Sequence, residues 1–131
     1  MPTSQEPACV FCELRDVELL AESEAGVAFL DRFPVSEGHA LVVPRRHIET
    51  WFDASESEQF ELLKLLATVR RRLEERLQGA PDGWNAGFNA GAAAGQTVMH
   101  LHLHLIPRWI GDVPDPRGGI RGVLPRRRLY P

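Results

Sequence analysis

Several features are missing from the chain, and each absence narrows what it does. No apolar run is long enough to cross a bilayer, and the opening Met1-Pro2-Thr3-Ser4-Gln5-Glu6 has neither a basic n-region nor an apolar h-region. The expectation is a cytoplasmic protein with no membrane span. There is one lysine, Lys64; the other basic residues are arginines, a bias that codon composition explains as well as chemistry does. A formal net charge of -3 argues against a protein wrapped generally around nucleic acid. No Walker motif and no dinucleotide fingerprint occurs. Cysteine appears only twice, in Cys9-Val10-Phe11-Cys12. A chain of 131 residues buries one core rather than two, so a single domain over 1–131 is expected.

What is present centres on His100-Leu101-His102-Leu103-His104-Leu105. Strict alternation is the period of a strand, which sends three imidazoles to one face and Met99, Leu101, Leu103 and Leu105 to the core. Same-face neighbours along a strand lie roughly 7 Å apart, so protonating one ring hinders protonation of the next. Neutral imidazoles serve as nucleophiles, bases or metal ligands. A chance cluster on a solvated face, or a purely structural metal site, gives the same pattern.

Two thiolates spaced as in Cys9 and Cys12 hold a metal from one tight turn, and zinc then needs two further ligands, which histidine must supply. A redox pair is the main competing reading, although no thioredoxin-like βαβ pattern follows, and free thiols with no role come third. Two short buried strands, 27–31 and 40–43, flank a turn-rich connection, with the second strand ending at Pro44. Asp31 closes the first strand and His39 opens the second. Each is ambiguous alone: Asp31 reads equally as a turn-forming aspartate. His47 is a candidate third zinc ligand.

Asp53 followed by Glu56 has the form of a capping box, and Leu62, Leu66, Val69, Leu73 and Leu77 recur at helical spacing, widened by Phe60, Leu63 and Ala67. Gly79 and Pro81 stop this helix. Arg70, Arg71, Arg72 and Arg76 near its end read as a solvated face suited to the helix dipole. Trp84 to Asn89 alternates like a strand. The small-residue loop from Ala90 to Thr97 lets backbone amides approach an anion, with Asn89, Gln96 and Thr97 as neutral donors, although most such loops are only connectors.

Asn89-Ala90-Gly91, Ala94-Gly95-Gln96-Thr97-Val98-Met99, the histidine triplet and Leu105-Ile106-Pro107-Arg108 together resemble the signature of the histidine triad (HIT) family of nucleotide hydrolases and transferases. Upstream, Phe29-Leu30-Asp31, the stretch from Gly38 to Pro44, and His47 match its order and spacing. The resemblance runs from Cys9 to about Arg108. It implies His102 as the nucleophile on the α-phosphorus of a nucleotide, His104 as a phosphate contact and leaving-group aid, and His39 as support. It implies one structural zinc on Cys9, Cys12, His47 and His100. Asp31 would hold the ribose hydroxyls, and Asn89, Gln96 and the backbone of Gly95, Gln96, Thr97 and Val98 would hold phosphate. The base would lie among apolar residues of the N-terminal half.

This chemistry is coherent in itself. A phosphoanhydride repels anions, so attack needs a neutral nucleophile, donors on the oxygens and a good leaving group. Imidazole meets the first need near neutral pH. The segment from Trp109 to Pro125 is similar to the extension of a prokaryotic HIT subgroup linked to dinucleoside polyphosphates. Arg117 and Arg121 are candidates for distal phosphates, or else surface arginines on a dimer-stabilising tail.

The expectation is therefore an α+β domain, core about 9–108 with an extension at 109–131. An antiparallel sheet holds the histidine strand inside it, one long helix packs across, and the resemblance implies a homodimer. The expected activity is hydrolysis of dinucleoside polyphosphates such as diadenosine tetraphosphate through a nucleotidyl-histidine, with Mg accompanying a polyphosphate substrate. A phosphorylase, a nucleoside phosphoramidate hydrolase, and a zinc-stabilised nucleotide-binding or sensing module without turnover are the alternatives.

Overall fold

The computed structural model describes residues 9–131. Five strands, β1 (Leu19–Glu22), β2 (Gly26–Leu30), β3 (Ala40–Pro44), β4 (Gly83–Gly87) and β5 (Leu103–Arg108), and one long helix, α1 (Glu56–Arg76), make an α+β fold. The strands form one sheet in the order β1-β2-β3-β5-β4. Every pairing is antiparallel. The chain leaves β3, crosses through α1 and β4, and returns as β5 between them, so β5 is central.

Period-two burial divides the sheet. Ala28, Ala40, Val42, Leu103 and Leu105 join Leu62, Leu65, Val69 and Leu73 of α1 in the main core. Val27, Phe29, Leu41 and Val43 point the other way, where Phe11, Leu14 and Val17 of the N-terminal segment pack on them. Helix and sheet approach closely at Gly26: a Cβ there would lie 2.8 Å from both Leu62 Cδ2 and Val43 O. An alanine at that position would push α1 outward.

Four local expectations are corrected. The histidine strand begins at Leu103 rather than His100. The ladder from β3 ends at the Val42–Leu103 pair. Pro44 has no N–H to extend it, and the carbonyls of Pro44 and His100 accept from imidazoles instead. Met99 accordingly lies outside the strand and is 41% exposed. Asp53 caps a preceding short turn through Thr50, while Ser55 and Glu58 form the capping box of α1. Phe60 and Leu63 are 64% and 50% exposed, and Ala67 is exposed as well. They occupy a second stripe of α1 that faces away from the sheet, and Leu65 takes the core position. β1 carries no alternation strong enough to have signalled it; its register shifts between Leu19 and Ala21.

Among the described residues no helix is long and apolar enough to cross a membrane. The segment after β5 folds into short turns at Gly119–Val123 and Pro125–Arg127.

Candidate functional site

Two clusters of side chains flank the short ladder between β3 and β5, the first past its Val42–Leu103 end and the second beside the Leu41–His104 pair. The first joins Cys9, Cys12, His47 and His100, whose ligand atoms all lie within 4.8 Å of one another. Cys9 Sγ is 3.2 Å from His100 Nδ1, and Cys12 Sγ is 3.2 Å from His47 Nδ1 and 3.5 Å from His100 Nδ1. Sulfur and nitrogen on a tetrahedral zinc stand about 3.5 Å apart, from bond lengths near 2.3 and 2.0 Å. The donor set fits that ion. His100, fully buried, bonds Pro44 O through Nε2 at 2.8 Å. A carbonyl only accepts, so Nε2 carries the hydrogen and Nδ1 presents a lone pair to the sulfurs. Burial holds the His100 pKa low, and the Pro44 bond only partly opposes this. The Cys12 thiol is pushed up, first by desolvation and then by Cys9 beside it, so a dication is what this pair needs in order to ionise together.

The second cluster is a hydrogen-bond chain whose protons the backbone assigns. Val35 N–H donates to His39 Nδ1 at 3.1 Å. That nitrogen is therefore bare, and Nε2 carries the hydrogen toward His104 Nδ1, 3.0 Å away. His104 is then left with its own hydrogen on Nε2. His102 donates from Nδ1 to His100 O at 2.8 Å, which leaves its Nε2 as a free lone pair. Desolvation, then the neighbouring His102 and His39, push His104 down to about 4. Burial also lowers His39, with Asp31 opposing. Both rings stay neutral near pH 7. Asp31 Oδ2 lies 3.5 Å from His39 Nε2, while Oδ1 accepts from Phe33 N–H at 2.9 Å. Both readings of Asp31, turn former and site residue, thus hold geometrically. Asp31, His39 and His104 are also close enough to share a metal. The Val35 amide opposes this by keeping the hydrogen on His39 Nε2.

His102 and His104 open into a cavity of about 690 Å³ lined by Phe11, Leu14, Phe29, Leu41, Asp31, Thr97 and Val98, among others. The Phe11 ring stands 5.1 Å from that of His102. The apolar residues missing from the sequence reading are thus Phe11 and Leu14 from the cysteine turn, with Phe29 and Leu41 from β2 and β3. Their signal was period two, since Phe29, Leu41 and His104 form one row across the sheet. Its charged lining is Arg15 and Arg32 against Glu13, Asp16, Glu18 and Asp31. A second cavity of about 370 Å³ shares His104 and His39 and is lined by Asn85, Gly87, Asn89 and Ile120.

Gln96, 4% exposed, accepts from Gly91 N–H at 2.8 Å and donates to the carbonyls of Glu49 and Val98. Both of its amide hydrogens are engaged, so it shapes the loop in this state rather than donating to an anion. Gly95 is left-handed, at φ 96, as a loop of this tightness requires. Arg117 pairs with Asp115, and Arg121 donates to the carbonyls of Arg127 and Arg128 and stacks on Tyr130. Neither arginine lines either cavity.

A family model described as the HIT domain matches residues 15–109. An uncharacterized HIT-like protein of Saccharolobus solfataricus is 39% identical over 113 residues, covering 82% of this chain and 78% of that protein. The adenosine 5'-monophosphoramidase of Schizosaccharomyces pombe is 33% identical over 105 residues, 77% of this chain and 74% of the yeast protein. The crystal structure of a hypothetical histidine triad nucleotide-binding protein from Sulfolobus tokodaii superposes with a TM-score of 0.73 at 38% identity, over 82% of this chain and 73% of that one.

Proposed function

Because the chain belongs to the HIT-domain family, we propose that it is a nucleotide hydrolase that transfers a nucleotidyl group to His102 and then to water. The observation that carries this reading is the assignment of protons by the backbone: His102 Nε2 is bare and His104 Nε2 bears a hydrogen. The lone pair attacks the α-phosphorus while the neighbouring N–H steadies a phosphoryl oxygen. The bond to the leaving group breaks with its electron pair, and that group takes a proton from solvent. Water then attacks phosphorus, releases His102 and returns one proton to solvent. His39 holds the His104 tautomer, Asp31 bonds the ribose, and Asn89, Thr97 and the backbone of Gly95 to Val98 hold phosphate. The base lies against Phe11, Leu14, Phe29 and Leu41, and Gln96 holds the loop in shape.

For the leaving group, a nucleoside phosphoramidate has the better support. The fission yeast relative carries a monophosphoramidase name, and among the described residues the lining of the first cavity holds two cations against four carboxylates. Diadenosine tetraphosphate, with Mg, retains the support of the tail's resemblance, but Arg117 and Arg121 are engaged elsewhere. Zinc on Cys9, Cys12, His47 and His100 supplies, when bound, a rigid tie between the N-terminal turn and the histidine segment. A homodimer belongs to the same proposal, and the exposed Phe60 and Leu63 on α1 support it.

The test follows AMP release from adenosine 5'-phosphoramidate and from diadenosine tetraphosphate. His102→Ala is expected to lower kcat/KM by about a thousandfold or more, and the wild type to carry an acid-labile nucleotidyl label that the variant lacks. Undiminished turnover in both His102→Ala and His102→Asn overturns the mechanism; nucleotide binding with neither label nor turnover supports the binding-module alternative.

A further inference from the structure

We propose that the smaller cavity, beside β4, receives the leaving group, that this group is uncharged and apolar, and that Ile120 of the tail selects it. The proposal rests on nucleotidyl transfer at His102 as read above. Across the sheet, Leu41 and Gly87 flank His104 in one register row. Leu41 fills its side of the row, but Gly87 has no side chain, so the sheet face beside His104 stands open toward β4. The cavity of about 370 Å³ lies there.

His102 lines only the larger cavity, whereas His104 lines both. In phosphoryl transfer the nucleophile and the departing atom lie roughly in line on opposite sides of phosphorus. A group leaving away from His102 passes His104 and enters the smaller cavity. Among the described residues no arginine, lysine, aspartate or glutamate lines it; its polar side chains are Asn85, Asn89 and the two histidines. A polyphosphate chain would meet no countercharge there, whereas an alkyl or aryl amine meets Phe88, Ile106 and Ile120.

The tail arrives as a braced piece. Arg128 ties Asp115 at 3.2 Å and the Arg117 carbonyl at 2.8 Å, and Arg121 holds the carbonyls of Arg127 and Arg128. Gly118 is left-handed, and a Cβ on it would run into the Arg128 carbonyl, so a side chain there is excluded. Ile120 Cδ1 thereby stands 4.0 Å from the Cβ position of Gly87, while the residue stays largely exposed. An apolar side chain held at a cavity mouth gains by being covered, and a braced one loses little freedom when it is. With an N-alkyl phosphoramidate the P–N bond breaks as the His102–P bond forms, and the amine leaves with its electron pair and a solvent proton.

The experiment uses adenosine 5'-phosphoramidates bearing amines from ammonia to n-hexylamine. In the wild type kcat/KM rises about three- to fourfold per methylene until the cavity is filled. Ile120→Asp lowers the hexyl-to-parent ratio by about tenfold, and Ile120→Leu restores it. A merely structural role would change both substrates together and leave the ratio fixed. Dissociation constants for the same series on His102→Ala give the ratio without turnover. A flat series, or a ratio indifferent to Ile120→Asp, overturns the leaving-group site. An absence of turnover with the binding ratio intact overturns the hydrolase reading alone.

Discussion

His39 has two nitrogens with two separate partners, so its two bonds can be removed one at a time. Its Nδ1 accepts from Val35 N–H at 3.1 Å, and its Nε2 donates to His104 Nδ1 at 3.0 Å. An asparagine at 39 puts an oxygen near the Nδ1 position and stops short of His104. A glutamine puts its amide nitrogen near the Nε2 position and offers Val35 nothing. Val35 is largely exposed and His104 half-buried, so losing either bond costs about 1 kcal/mol. Each variant gives up one such bond, so both should melt lower by about 4 °C, yet only His39→Asn should lose about 10- to 100-fold in kcat/KM, because His104 is then free to place its hydrogen on either nitrogen. His39→Gln should keep turnover within about threefold of wild type, because a donor to His104 Nδ1 is retained. Steady-state kinetics on a phosphoramidate and thermal unfolding measure the two effects on the same samples. Full activity in His39→Asn, or equal loss of activity in both variants, refutes the proton assignment.

Metal analysis of purified protein should find about one zinc per chain, and Cys9→Ser and Cys12→Ser should each lose most of it. Removing a ligand present at about a hundredfold its dissociation constant withdraws about 2.7 kcal/mol, so chelation should lower the melting temperature by about 10 °C; equal and negligible metal in wild type and variants rejects the site. The pH dependence follows from His104, held near 4, and from His39, also lowered, both first by burial. Between about pH 4 and the ordinary imidazole range near 6.5 the unfolded chain binds more protons than the folded one. Stability therefore rises with pH across that window and falls on acidification through it. His104→Gln should flatten the melting curve against pH there, and an unchanged slope contradicts the burial argument.

Period and chemistry were legible before the fold. The alternation of Leu101, Leu103 and Leu105 with histidines marked a half-buried strand, and all three leucines enter the core. Gly79 falls past the helix end with a left-handed φ of 83, as its place after Leu77 suggested. The cysteine pair called for histidine partners because zinc demands four donors, and His47 was a candidate from its residues alone; His100 as the fourth was implied by the family resemblance, and the fold brings the four together. The stripe on α1 was harder to read. Phe60 and Leu63 are as apolar as Leu62 and Leu65, and which stripe meets the sheet depends on how the helix rolls onto Gly26.

The sequence by itself determined the chemical vocabulary: neutral imidazoles, a thiol pair, a loop of small residues and an amphipathic helix. Tertiary structure alone decided the division of labour among identical side chains. His100, His102 and His104 differ by which acceptor or donor faces them: Pro44 O, His100 O and His39 Nε2. Those partners lie up to 65 residues away along the chain. A hydrogen bond is a short-range, directional contact, so only the register of β3 against β5 and the ending of that ladder before Pro44 bring them within reach.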